Sequence, residues 1–285
     1  MPRPRPQPDR HDDGQREHAP PRATRASFVE TRDGTSLFYH DWGDGKPVVF
    51  THAWGLNADI WEYQLTELVD QGLRCVAYDR RGHGRSTDPG RGYDYDTLAD
   101  DLAAVIDRLD LHDVTLVGFS MGNSEAVRYL SRHGDGRIAR LLMVSTVAPQ
   151  TDSSLWGSFI AGLKQDRPAF FAGSVAAFTG GLPSVSPALA QWVVAQFLRA
   201  SPKATIECIR ANASADLRPD MRAITRPTLI VHGNQDQVSP IDKTARKAAE
   251  IIPGCDLTVY DDAPHGLVLT HRERLTRDLL TFIQS

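Results

Sequence analysis

From Ser27 onward, short uninterrupted apolar runs alternate with longer stretches that are apolar on one side only. Residues 28–31 and 36–41 flank the turn Asp33-Gly34 and read as an opening β-hairpin. Pro47–Thr51 and 73–78 have the composition of strands buried on both faces, and 113–118, 138–147, 227–232 and Asp256–Tyr260 read as further strands. Between them, 60–69 places Ile60, Leu65 and Leu68 on one side of a helix, and 95–109 does the same with Leu98, Leu102, Val105, Ile106 and Leu109. Further helices are expected over 124–130, 241–252 and 274–283. Strand-helix alternation of this kind predicts an α/β protein, a parallel sheet covered by helices on both faces.

The alternation stops between about Pro149 and Arg226. That segment carries no strand-like run; it is helical in pattern and rich in aromatics, among them Trp156, Phe159, Phe170, Phe171, Phe178, Trp192 and Phe197. The expected organisation is therefore a core made of 27–148 and 227–285, interrupted by a helical cap insertion over 149–226. Some of the aromatics belong to ordinary packing, but their number predicts that several line an apolar acyl or aryl pocket, with Phe119, Trp156 and Phe159 as candidates. Residues 1–26 break the pattern in another way. They are rich in proline, arginine and acidic residues and hold no large apolar residue besides Met1, so they are expected to be a disordered tail.

Composition narrows the function. The 285 residues are 41% hydrophobic with a formal charge of −4, which supports a sizeable core and no basic stripe for nucleic acid. No apolar run approaches the roughly 18–20 residues of a membrane span, and the tail lacks the apolar segment of a secretory signal. Arg80-Arg81 lies inside the folded part and is no export signal. A cytoplasmic protein without nucleic-acid or membrane partners is the expectation, and self-association into a homo-oligomer is left open. Cys75, Cys208 and Cys255 are scattered and odd in number, which suits buried small side chains better than a metal or disulfide framework.

The sharpest chemical signal is Gly118-Phe119-Ser120-Met121-Gly122, placed after an apolar strand and before a helix. In that context a tight turn pushes the serine hydroxyl out above the sheet edge, at a helix N-terminus that favours negative charge. The alternative is a glycine-rich turn with an ordinary serine. A serine needs a base, and the chain has ten histidines. His11 and His18 are in the tail, His40 and His232 lie within strands, and His52 ends one. His112 and His133 sit beside helix ends, and His271 starts the last helix. His265 alone occupies the loop between the last strand and last helix, at the carboxyl edge where open parallel sheets bind ligands. Asp236, in the loop after 227–232, is the carboxylate to orient it, whereas Asp242 reads as a helix cap. For charge developing on a substrate carbonyl, the backbone N–H groups of Met121 and Trp54 are the candidate donors. The G-x-G in Asp79–Ser86 lacks the third glycine of a dinucleotide fingerprint, Thr87 standing there, and reads as a structural turn.

With these residues in hand, the chain resembles the cofactor-free haloperoxidase and arylesterase branch of the α/β-hydrolases. The resemblance covers nearly everything after Ser27 and rests on HAWGLNADIWEYQ (52–64), AYDRRGHGRS (77–86), VTLVGFSMGN (114–123), LRPDM (217–221), HGNQDQVSP (232–240) and DAPHGL (262–267). It implies a mostly parallel eight-stranded sheet with a small helical cap, a triad of Ser120, Asp236 and His265, and an oxyanion hole at Trp54 and Met121. The chain departs from that branch at His52-Ala53-Trp54-Gly55, where His-Gly-Trp-Pro is usual, and at Asn123, where glycine is usual. Gly55 is expected to loosen the loop that proline would fix. The expected activity is hydrolysis of a small carboxylic ester, aryl, alkyl or lactone, with no metal or organic cofactor. The alternatives are peracid formation from a carboxylate and hydrogen peroxide, C–C or amide hydrolysis on the same residues, and a non-catalytic ligand receptor on a hydrolase fold.

Overall fold

The computed structural model describes residues 27–149 and 154–285, so the expected tail over 1–26 lies outside the described residues. In chain order the elements begin with β1 (Phe28–Glu30), β2 (Ser36–Trp42), β3 (Pro47–Thr51), α1 (Glu62–Asp70), β4 (Arg74–Tyr78) and α2 (Tyr95–Arg108). Next come β5 (Val114–Phe119), α3 (Met121–His133), β6 (Ile138–Val144), α4 (Ser154–Thr179), α5 (Pro187–Arg199), α6 (Pro202–Ser214) and α7 (Arg218–Arg222). The chain closes with β7 (Thr228–Gly233), α8 (Ala245–Ile251), β8 (Asp256–Tyr260), α9 (Leu267–Thr270) and α10 (Arg272–Gln284).

The strands form one eight-stranded sheet in the order β1-β2-β4-β3-β5-β6-β7-β8. β1 pairs with β2, and β2 with β4, antiparallel, while the other pairings are parallel. The mostly apolar runs of the central strands follow directly from this arrangement. Successive strand residues point to opposite faces, so Val49, Val76, Leu116, Leu141 and Ile230 join the core under α2 and α3. Their neighbours Val48, Cys75, Val117, Leu142 and Val231 join the core under α1 and α10. Each such side chain fully withdrawn from water stabilises the fold by about 1.5–3 kcal/mol.

Several boundaries differ from the sequence expectation, each for a local reason. The expected helix over 60–69 is a 3-10 turn, Ala58–Trp61, capped by the Asn57 side chain, followed by α1. The strand expected over 138–147 ends at Val144, because Ser145 turns to a φ of 46°. Asp242 caps no helix: α8 starts only at Ala245, and Asp242 instead forms an exposed ion pair with Arg246 at 2.9 Å.

Between β6 and β7 the described residues form the four helices α4 to α7. Their starts are legible in the sequence: Ser186 and Ser201 accept hydrogen bonds from the N–H of Leu189 and Ala204, with proline in the first turn of each helix. α4 breaks at Asp166 (φ −154°, ψ 88°), two residues before Pro168, where the Asp166 side chain caps the second half through Ala169 N–H.

Candidate active site

The turn joining β5 to α3 holds Ser120 at φ 55° and ψ −117°, a conformation L-residues rarely adopt. Its glycines make that possible. A Cβ on Gly118 would meet the Asn123 backbone at 2.8 Å, and one on Gly122 would meet the Thr51 carbonyl oxygen at 2.7 Å. Thus α3 lies hard against the end of β3, with Ser120 at its N-terminal cap position. Asn123 donates through Nδ2 to the Val144 carbonyl at 2.8 Å, tying α3 to β6.

His265, between β8 and α9, brings Nε2 within 2.9 Å of Ser120 Oγ. Its Nδ1 lies 2.7 Å from Asp236 Oδ2, in the loop after β7. A carboxylate only accepts, so Nδ1 carries the proton and Nε2 presents its lone pair to the serine hydroxyl. The side chains of residues 120, 236 and 265 are all buried. Loop packing fixes the register: a Cβ on Gly233 would meet the Ala263 carbonyl oxygen at 2.0 Å, and Ser145 Oγ donates to the His265 carbonyl at 2.9 Å.

Asp236 has further donors that the sequence pattern did not single out. The N–H groups of Val238 and Ser239 donate to Oδ1 at 2.9 and 2.7 Å, and Ser239 Oγ donates to Oδ2 at 2.9 Å. His232 Nε2 approaches Oδ2 at 3.2 Å. Burial by itself would raise this carboxyl, but the charge of His265 and the hydrogen bonds from His232 and His265 outweigh it, and the group is held well below the usual carboxylate range. It stays ionised throughout the neutral range. The sequence sets His232 aside because it lies within a strand; the signal that points to its role is its spacing of four residues from Asp236.

The loop after β3 is tightly built. Leu56 N–H donates to the Ala53 carbonyl at 3.3 Å, and Gly55 has φ 73°, which makes residues 53–56 a type II turn. Gly55 therefore does not loosen this loop. It takes up a backbone conformation closed to proline, whose φ stays near −65°, and a Cβ there would meet the Phe197 ring at 2.7 Å. His52 locks the same turn from below. Its Nε2 accepts from Arg80 N–H at 2.9 Å, so Nδ1 carries the proton and donates to the Ala53 carbonyl at 2.8 Å. Burial, with Arg80 beside it, pushes the His52 imidazole well below its ordinary value and keeps it neutral. Arg80 also donates to the His52 carbonyl at 2.8 Å and pairs with Glu125 of α3 at 2.7 Å. The turn over 79–86 thus spends its charged side chains on internal contacts.

A cavity of about 130 Å³ opens above Ser120 and His265. Its walls are mostly apolar and come largely from the helices between β6 and β7, including Trp156, Phe159, Phe178, Phe197 and Ile209, with Trp54 from the β3 loop. Trp54 is braced by its Nε1 donating to the Thr205 carbonyl at 2.8 Å. Phe119 does not line this cavity, contrary to expectation. On β5 it points into the fully buried layer beneath, where its ring packs 5.6 Å from the imidazole of His265 and 5.9 Å from Trp61. Among the described residues, no group of His, Cys, Asp and Glu could hold a metal ion, and no helix is long and apolar enough to cross a membrane.

Comparison with known proteins agrees with this architecture. Residues 46–272 match the family described as alpha/beta hydrolase fold. A non-heme chloroperoxidase of Kitasatospora aureofaciens is 40% identical over 270 residues, covering 89% of this chain and 98% of that protein. A bifunctional esterase/perhydrolase of Acinetobacter calcoaceticus is 34% identical, covering 90% of this chain and 99% of the relative. An esterase structure from Exiguobacterium antarcticum superposes with a TM-score of 0.88 at 36% identity, covering 91% of this chain and 99% of that one. A bromoperoxidase structure from Bacillus anthracis superposes with a TM-score of 0.87 at 35% identity, covering 90% and 99%.

Proposed function

This chain belongs to the α/β-hydrolase family, and from that premise we propose that it is a serine esterase that cleaves small carboxylic esters through an acyl-enzyme. The observation that carries the reading is the continuous hydrogen-bonded series Ser120–His265–Asp236 at the floor of an apolar cavity. Ser120 Oγ attacks the ester carbonyl carbon as its proton passes to His265 Nε2. The resulting imidazolium is stabilised by Asp236 through Nδ1–H. Collapse of the tetrahedral intermediate breaks the bond to the alcohol oxygen, which leaves with the proton from Nε2. Water then repeats the sequence on the acyl-enzyme, releasing the acid and restoring Ser120.

The negative oxygen of both intermediates is held by the N–H groups of Met121 and Trp54. Met121 is the first residue of α3, where the helix N-terminus favours negative charge. For Trp54 the support is the pinned peptide. A trans peptide directs its N–H opposite to the preceding C=O, so His52, by holding the Ala53 carbonyl, also sets the direction of Trp54 N–H. Such a donor contributes roughly 10²–10³ in rate.

Perhydrolysis is the second reading, supported by the naming of a relative as a bifunctional esterase/perhydrolase. Ester hydrolysis is preferred because the haloperoxidase branch that the chain resembles usually carries proline at this position, and proline cannot take the φ of 73° that Gly55 has here. The test is turnover of p-nitrophenyl acetate and butyrate, set beside bromide-dependent halogenation of monochlorodimedone in acetate and hydrogen peroxide. Hydrolysis that disappears in Ser120→Ala supports the esterase. Equal activity, or equal inertness, of wild type and variant would overturn it, and halogenation without ester turnover would favour the second reading.

A further inference from the structure

Beside the apolar cavity lies a second, very small space that shares Val147 and Asn212 with it and is otherwise bounded by Tyr95, Ser124, the Ala148-Pro149 segment after β6 and residues 215–217 before α7. Its volume of about 10 Å³ is that of a single water molecule or one polar atom of a ligand. What makes it unusual is its polarity beside a pocket walled by Trp156, Phe159, Phe178 and Phe197. Ser124 is fully buried; its Oγ makes no well-aligned hydrogen bond among the described residues, and the Tyr95 hydroxyl is close enough to interact with it. Tyr95 Oη donates to Asn212 Oδ1 at 2.9 Å. Burial raises the Tyr95 phenol, so it remains a donor at any working pH. With its carbonyl oxygen engaged in this way, Asn212 offers the cavity its amide N–H groups.

A buried hydroxyl held only by a poorly aligned neighbour gains from a well-placed partner. Ser124 also stands one helical turn from Ser120 on α3, about 6 Å along the axis. An oxygen atom lodged between Ser124 and Asn212 is then only a few bonds from an ester carbonyl at Ser120. We propose that this recess is a polar subsite, and that the natural substrate is an ester carrying an acceptor oxygen, keto or ether, close to the scissile bond, bound by the Asn212 amide and Ser124 hydroxyl. The proposal rests on the esterase reading and refines its substrate class. Asn212 and Ser124 act in it as specificity-determining residues.

The experiment compares ester pairs of matched chain length. On the acyl side these are p-nitrophenyl 4-oxopentanoate and p-nitrophenyl pentanoate; on the alcohol side, 2-methoxyethyl butyrate and butyl butyrate. The quantity read is the ratio of kcat/KM within each pair for wild type, Asn212→Leu and Ser124→Ala. Intrinsic reactivity differences cancel when the ratios are compared between proteins. Wild type should exceed Asn212→Leu in this ratio by about five- to tenfold in one of the two pairs, which identifies the side of the ester that enters the recess. Ser124→Ala, a change that leaves packing almost untouched, should shift the same pair in the same direction. Hydrolysis of both members with ratios identical in all three proteins would overturn the subsite while leaving the esterase intact. Failure of wild type to cleave any of the four would remove the esterase reading and the subsite with it.

Discussion

His232 Nε2 lies 3.2 Å from Asp236 Oδ2, the same oxygen that His265 Nδ1 reaches at 2.7 Å. Two imidazoles thus converge on one carboxylate oxygen, from the end of β7 and from the loop after β8. His232 Nε2 is also 2.9 Å from the Ser239 carbonyl, so both of its neighbours are acceptors and Nε2 carries a proton. Its Nδ1 is buried without a hydrogen-bond partner among the described residues. The second histidine fixes where the carboxylate points and thereby where the first one is held.

Replacing His232 should therefore disturb catalysis without disturbing substrate binding. His232→Leu is expected to lower kcat for a p-nitrophenyl ester about tenfold, the equivalent of one hydrogen bond to a charged group, with KM little changed. His232→Gln, whose amide can donate from nearly the same place, should recover most of the loss. Equal kcat in all three proteins would show that His232 merely fills space.

The buried histidines make stability depend on pH. Burial, reinforced by Arg80, lowers the His83 imidazole to about 3, and its Nδ1 donates to the Arg81 carbonyl at 2.9 Å. Below about pH 6.5 the unfolded chain takes up a proton at this position that the folded chain refuses, so stability falls as pH falls. His83→Asn keeps a donor toward Arg81 but cannot titrate. From urea unfolding at pH 7.5, 6.0 and 5.0, the stability of wild type relative to this variant should drop by about 1.4 kcal/mol per pH unit below 6.5. A difference independent of pH would contradict the assignment.

Gly55 couples the β3 loop to α5. Gly55→Ala should destabilise the fold by about 1–2 kcal/mol for its left-handed backbone alone, and by more because of the Phe197 ring. In a Phe197→Ala background only the backbone share should remain, so the two substitutions should be measurably non-additive in thermal or urea unfolding. Gly55→Pro forces a different turn and, if Trp54 N–H is an oxyanion donor, should lower kcat on the order of a hundredfold. Unchanged kcat in a folded Gly55→Pro protein would remove Trp54 from that role.

The strands were legible because a sheet covered on both faces leaves no polar side. Each of β3 to β7 is a predominantly apolar run, and the structure pairs them in one sheet. The places of Ser120, Asp236 and His265 were legible because each follows a strand, and strand ends share one rim. The rest depended on which way side chains turn. Phe119 neighbours Ser120 in sequence, yet strand alternation sends it beneath the site. Asn212 gives no local signal at all, since it meets Tyr95, 117 positions away in sequence, only after α6 folds back over α2. In the sequence Gly55 looks like a missing constraint, whereas its positive φ is itself the constraint, visible only in the closed turn.

Whether Ser120 is the nucleophile that His265 activates is read most directly by phosphorylating it. Diethyl p-nitrophenyl phosphate mimics the tetrahedral intermediate and should release one equivalent of p-nitrophenol per chain, abolishing ester turnover. Peptide mapping by mass spectrometry should then find the diethylphosphoryl group on Ser120, with His265→Ala reacting at least about a thousandfold more slowly. A phosphoryl group on another residue, or labelling of Ser120→Ala at the wild-type rate, would contradict it.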